Sequence, residues 1–171
     1  QREEKIEQIK ADFYTLFSLD NDPQKRGKHL EKVLNTLFLA YGVLVKEDFK
    51  RVDPDGSGIV EQIDGVVEIT GHIYLVEMKW IKEPVGVDKI SQHLVRIYGR
   101  PDARGLFIAS NGYSDGAIAQ CREALSQKTI TLVTLQEIVY LLERQGNLVE
   151  FLNKKVQAAT IDKNPYLEIL S

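Results

Sequence analysis

Cysteine occurs once in the 171 residues, at Cys121, so no disulfide can form within the chain and the bridge-stapled scaffolds of small secreted proteins are excluded. No apolar run in the sequence approaches the roughly 18 residues that a membrane span needs. No signal-peptide pattern is visible either, and Gln1 stands where an initiator Met would, so the chain reads as a piece of a longer protein. A reducing, cytoplasmic setting is the expected one. A basic surplus is also missing: 22 Lys and Arg against 25 Asp and Glu give a formal net charge of -3. Phosphate neutralisation usually shows as excess positive charge, so any grip on nucleic acid has to come from a local basic face or from a domain outside this chain. There is no internal repeat and no low-complexity stretch. What remains is a chain of one-domain length, 43% hydrophobic, with enough apolar residues for a single core.

Hydrophobic spacing divides the chain. Ile6, Ile9, Phe13, Leu16 and Phe17 mark an amphipathic helix from Glu3, closing near Asn21 to Pro23. A second helix runs from Pro23 to Ala40 on the stripe Leu30, Val33, Leu34, Leu37, Phe38 and Tyr41, and Gly42 stops it. At 100° per residue Glu31 falls beside Phe38, at the edge of that stripe. The segments Val43 to Val52, Ile59 to Ile69 and His72 to Trp80 are rich in Val, Ile and Tyr and separated by turn residues, which predicts an antiparallel meander. Helix Val87 to Tyr98, strand Gly105 to Ala109, helix Ser114 to Leu125 and strand Thr129 to Val133 follow, then a helical tail from Leu135 through Ala159, broken at Gly146-Asn147. The expected fold is an α/β sandwich around a central mixed sheet, a meander plus a βαβ crossover. Residues 1–22 are expected as an N-terminal helix, 23–145 as the core and 146–171 as a helical tail.

The chemistry concentrates in Glu61-Gln62-Ile63-Asp64-Gly65 and Tyr74-Leu75-Val76-Glu77-Met78-Lys79-Trp80. If Thr70-Gly71 is a two-residue hairpin turn, Ile69 faces His72, and counting outward sets Asp64 opposite Glu77 and Gln62 opposite Lys79. Alternation of side chains puts all four on one face. Carboxylates facing each other repel unless a cation is bound or one is protonated. Hard oxygen donors so placed suit Mg²⁺ or Mn²⁺, and a neighbouring lysine supplies positive charge beside a phosphate under attack.

These segments resemble the PD-(D/E)xK nuclease superfamily, and within it the Mrr-like restriction endonucleases. Arg26-Gly27-Lys28-His29-Leu30-Glu31 is similar to the helix motif that opens these nucleases, Asp64-Gly65 to the Asp-Gly of the first catalytic strand, and Glu77-Met78-Lys79-Trp80 to the (Q/E)-x-K motif. Val85-Gly86-Val87, the strand Gly105-Leu106-Phe107-Ile108-Ala109-Ser110 and the turn Asn111-Gly112-Tyr113-Ser114-Asp115-Gly116-Ala117 resemble the family's crossover. The resemblance runs from Arg26 to Leu142. It implies a restriction-endonuclease-like α/β/α sandwich and a Mg²⁺- or Mn²⁺-dependent DNA endonuclease, of restriction or defence type. Asp64 and Glu77 are then expected to hold the metal, Lys79 to act on the attacking water, and Glu31 to assist. Glu77 stands where the relatives often carry Gln, which completes the carboxylate set. Gln62, Lys82, Lys89 and Arg96, with Arg100 and Arg104 nearby in sequence, are candidate contacts to duplex DNA, and a solvated helix face is the equal alternative. Cutting both strands calls for a homodimer or a repositioning step, and target choice for a fused or neighbouring specificity domain.

Two rival readings stand. The same fold can serve as an inactive nucleic-acid-binding or scaffolding module. And Asp53-Pro54-Asp55-Gly56-Ser57-Gly58 through Asp64 has the ligand spacing of an EF-hand calcium loop. The segment after it alternates like a strand where an EF-hand needs a helix, so a turn is the expected structure there.

Overall fold

The apolar stripes close into helices first. In the computed structural model, which describes residues 1–19 and 22–170, α1 (Arg2–Leu16) buries Ile9, Phe13 and Leu16. It ends one residue before Phe17, and the predicted turn at Asn21 lies outside the described residues. α2 (Pro23–Ala40) opens behind Asp22, whose carboxylate accepts from the Lys25 N–H at 3.1 Å, and has Pro23 in the first turn, where a missing N–H breaks no helical bond. It ends ahead of Gly42, at φ +72°.

The predicted strands form, but two of them divide. Val43 to Val52 becomes β1 (Leu44–Lys46) and β2 (Phe49–Val52), and Ile59 to Ile69 becomes β3 (Ile59–Ile63) and β4 (Gly65–Ile69). β1 pairs antiparallel with β4, whereas β2 and β3 form a two-stranded ribbon of their own. The division falls at Asp64, whose backbone carbonyl accepts from the side-chain amide of Asn35 at 3.0 Å. That carbonyl is thereby spent on α2 and the ladder stops at Gly65. The segment from Asp53 to Gly58, between two strands, is a turn closed by Ser57 Oγ donating to Asp53 Oδ2 at 3.0 Å and the Ser57 N–H donating to Asp55 Oδ1 at 2.9 Å. With strands on both sides it is no EF-hand.

β5 (His72–Lys79) pairs antiparallel with β4 in the predicted register, Ile69 with His72 through Gly65 with Val76, around a turn in which Thr70 and Gly71 both have positive φ (51° and 82°). α3 (Val87–Tyr98), β6 (Arg104–Ala109), α4 (Asp115–Ala124) and β7 (Ile130–Thr134) complete the crossovers, with β5, β6 and β7 parallel. The sheet order is β1-β4-β5-β6-β7. One face (Val67, Val76, Leu106, Ile108) packs with α1, α2, α5 (Leu135–Glu143) and α6 (Leu148–Asp162). The other (Leu75, Phe107, Leu132) packs with α3 and α4. The architecture is therefore the expected α/β/α sandwich on a mixed sheet. Among the described residues no helix is long and apolar enough to cross a membrane.

Behind β7 a buried ion pair ties the end of the chain to the core. Lys155 on α6 donates to both oxygens of Glu137 on α5, at 3.0 and 2.8 Å, with neither side chain exposed. Glu137 also accepts from the N–H groups of Thr134 (2.9 Å) and Ile169 (2.8 Å), and Lys155 donates to the Leu167 carbonyl. Burial pulls the Lys155 ammonium below its usual value, and the Glu137 carboxylate offsets only part of that. Removing one member of such a pair leaves a buried charge uncompensated, so Lys155→Met is expected to cost about 3–5 kcal/mol in chemical denaturation. A loss under about 1 kcal/mol would mean that the tail is not held by this pair.

Candidate active site

Two carboxylates meet where β4 begins and β5 ends. Asp64 sits one residue ahead of β4, and its Oδ2 accepts the N–H of Met78 on β5 at 2.8 Å. Glu77 lies next to it on the face covered by α3 and is bracketed by two cations. Lys79 Nζ is 3.8 Å from Oε1, and the Arg96 guanidinium donates to Oε2. His93 Nδ1 stands 3.9 Å from the same Oε2. Both acids are buried, at 5% and 7% exposure, whereas the Lys79 side chain keeps 35% and reaches solvent.

Burial, with Glu77 adding to it, pushes the Asp64 carboxyl up to about 8. The Met78 N–H and Lys79 pull the other way without overcoming it. The pair thus holds a proton near neutrality, as two close carboxylates must when no added cation separates them. His93 is fully buried with Nε2 3.0 Å from the Leu75 carbonyl, and burial lowers its ring to about 4, so it is neutral. Neutral and donating from Nε2, it turns an unprotonated Nδ1 toward Glu77; that nitrogen has no hydrogen-bond partner.

α2 closes the site from the other side. Asn35, 3% exposed, holds the Asp64 carbonyl, and the space for its amide exists because residue 65 is glycine: a Cβ there would stand 2.5 Å from Asn35 Oδ1. One helical turn earlier, Glu31 ion-pairs with Lys28 at 3.4 Å and keeps 15% side-chain exposure. Its carboxyl is raised first by burial and then by the charge of Asp64, so it belongs to the same electrostatic neighbourhood.

The geometry brings Asp64, Glu77 and Lys79 together and Glu31 to their margin. Gln62 is not opposite Lys79; it pairs with Lys50 in the ribbon, because the strand breaks at Asp64. The basic residues that cluster in sequence separate in space. Arg96 is committed to Glu77. Arg100 donates to Glu61, holding that carboxyl below its usual range with help from Arg51. Arg104 lies at the far end of the sheet, where it pairs in register with Tyr74, while Ala109 pairs with Lys79. Lys82 is exposed and Lys89 half-buried. Sequence reasoning missed Asn35 and His93. A polar residue one turn after Glu31 within an apolar helix was the available signal for Asn35; His93 stands in the stripe of Ile90, Leu94 and Ile97, which signals its burial, while its approach to Glu77 follows from the packing of α3 on the sheet.

Residues 24–142 match the Mrr catalytic-domain family model, described as a restriction endonuclease. Comparison with curated proteins gives no match. Among solved structures, the DNA modification-dependent restriction endonuclease AspBHI is similar over 94% of this chain and 40% of its own, with 16% identity and a TM-score of 0.46. The MspJI restriction endonuclease in complex with a 27-mer oligonucleotide is similar over 93% and 38%, with 18% identity and a TM-score of 0.44. A protein of unknown function, AF1548, is similar over 61% and 55%, with 17% identity and a TM-score of 0.43. The chain spans 38% to 55% of the length of these structures.

The shared proton has a thermodynamic signature. Unfolded, Asp64 loses its proton near pH 3.8; folded, near 8. Its contribution to stability is therefore full below the lower value and is lost as pH rises through the upper one. Asp64→Asn imitates the protonated acid and keeps an acceptor for Met78. In metal-free buffer with EDTA, denaturation midpoints should show the variant gaining on wild type from pH 4.5 to pH 8. A gap that does not change with pH would show that the two acids do not share a proton.

Proposed function

From the premise that the chain belongs to the restriction endonuclease family defined by the Mrr catalytic domain, we propose that it hydrolyses phosphodiester bonds of duplex DNA with a divalent cation, Mg²⁺ or Mn²⁺, using Asp64, Glu77, Lys79 and Glu31. The observation that carries this reading is the meeting of two buried carboxylates beside a solvent-reaching ammonium at the end of β5. The donor set fits a hard cation: two adjacent buried acids, one of them raised by burial and by the other, offer the carboxylate oxygens that such an ion takes. Among the described residues no third His, Cys, Asp or Glu completes a metal-holding cluster. The remaining ligands would then be waters, backbone and phosphate oxygens, which Mg²⁺ readily accepts.

When bound at Asp64 and Glu77, the cation would stabilise charge on the phosphate and lower the pKa of a coordinated water. Lys79 extends past the acids toward solvent, where its ammonium can orient the attacking water and balance the charge growing on the phosphate. Asn35 and the Met78 N–H fix the backbone and carboxyl of Asp64, so that its position is set before any ligand arrives. Glu31, whose carboxyl is raised first by burial and then by the charge of Asp64, can accept a proton in its ionised form from water arriving beside Asp64. Duplex substrate requires a homodimer or a repositioning step for the second strand, and target choice is assigned to a fused or neighbouring domain. Arg96 on Glu77 is the one feature that favours the alternative of an inactive binding module, since it neutralises that carboxylate without a metal.

Cleavage decides between them. Supercoiled plasmid should be nicked or cut with Mg²⁺ or Mn²⁺ and spared with EDTA. Asp64→Ala and Glu77→Ala should abolish this, Lys79→Ala should lower it by at least about 10²–10³-fold, and Glu31→Ala by about 10–100-fold without unfolding. An active Glu77→Ala variant would move the chemistry elsewhere, and wild type inactive with every metal and nucleic acid would favour the binding module. Independently of turnover, Mn²⁺ binding measured by calorimetry at pH 7 in buffers of different ionisation enthalpy should release about one proton per site. Binding without proton release would place the ion away from Asp64.

A further inference from the structure

A groove of about 610 Å³ opens just past the end of β5, lined by Phe17, Arg26, Trp80, Lys82, Asn111 and Gln136 among others. It lies at the carboxyl ends of the parallel strands. Trp80 follows β5 directly, Ser110 follows β6 and Leu135 follows β7, and all three line it. That end of an α/β sheet is where backbone and loops leave room for ligands, and the volume is that of a small-molecule site, roughly 300–1,000 Å³. Trp80 is the residue after Lys79, and its side chain leaves on the opposite side, toward α1 and α2.

Its lining is unusual for a surface. Phe17 is 48% exposed, with its ring centroid 4.9 Å from that of Trp80 at 68°, and the Arg26 guanidinium lies 4.9 Å over the Trp80 ring. Aromatic and guanidinium planes set together, one of them open, form a surface on which a nucleobase can stack. The exposed Lys82 at the rim supplies a charge for a phosphate. In a paired duplex the base faces are covered by their neighbours and only edges are presented in the grooves, so a π platform has nothing to grip there. We infer that this groove receives an unpaired nucleotide of a bound DNA strand, its base stacked on Phe17 and the Trp80–Arg26 pair and its phosphate at Lys82. The inference rests on the nuclease reading for the origin of the strand, and its test does not require turnover.

Trp80 is the only tryptophan in the chain, so intrinsic tryptophan emission reports this groove alone. With EDTA present to prevent cleavage, a single-stranded 20-mer and a fully paired 20-mer carrying a dye are each titrated, following anisotropy for binding and Trp80 emission for occupancy. Single-stranded DNA is expected to quench Trp80, and the paired duplex to bind with a much smaller change. Phe17→Ala should weaken the single-strand titration by about tenfold or more and the duplex titration far less. Phe17→Leu, which keeps an apolar contact with Trp80 but removes the π face, should behave like Phe17→Ala even if the latter folds poorly. Lys82→Ala should weaken single-strand binding and flatten its salt dependence. Binding by anisotropy with Trp80 emission unchanged, or equal quenching by duplex, would overturn the groove assignment while leaving the nuclease reading intact. No binding of either DNA together with no plasmid cleavage would overturn both.

Discussion

Burying two carboxylates side by side is unfavourable in any fold, and the local structure around Asp64 and Glu77 is organised by the means of tolerating it. One acid retains a proton and spends an oxygen on the Met78 N–H; the other lies between Lys79 and Arg96. Asn35 needs the missing side chain of Gly65 to reach the Asp64 carbonyl, and by taking that carbonyl it ends the ladder and turns the ribbon of β2 and β3 away from the sheet. A helix, a glycine and a broken strand thus meet at one acid.

The Glu137–Lys155 pair shows the contrasting case. There a buried acid faces a buried ammonium, and main-chain N–H groups saturate the remaining lone pairs, so the charge is complete and the result is structural. At Asp64 and Glu77 the charge is incomplete: the cations near Glu77 leave Asp64 raised, and Lys79 is half open to solvent. An incompletely compensated acid pair that meets water is poised for a ligand, whereas a saturated pair is not.

Positive charge is distributed by the same logic. In a chain with a net charge of -3, Arg96 and Arg100 are turned inward onto Glu77 and Glu61. They tune acids rather than coat a surface. Lys79 and Lys82 remain open to a polyanion past the acids, as do Lys25 and Lys28 on α2.

The sequence by itself determined the elements whose cause is local. The stripes of α1, α2 and α3, the Thr70-Gly71 turn and, through it, the register that sets Glu77 beside Asp64 are all consequences of period and turn chemistry, and they emerge as read. The placement of Lys79 with Glu77 follows from alternation along one strand. Tertiary structure alone decided what depends on a partner distant in the chain. The break at Asp64, made by Asn35 from 29 positions away, sends Gln62 to Lys50 instead of Lys79. The packing of α3 on the sheet turns Arg96 inward onto Glu77, although spacing along the helix offered it to solvent as readily, and sets His93, already on the apolar stripe, against Leu75. Period fixes which face a side chain leaves by; only the competition for a carbonyl, a counterion or a cavity in the folded chain fixes what it meets there.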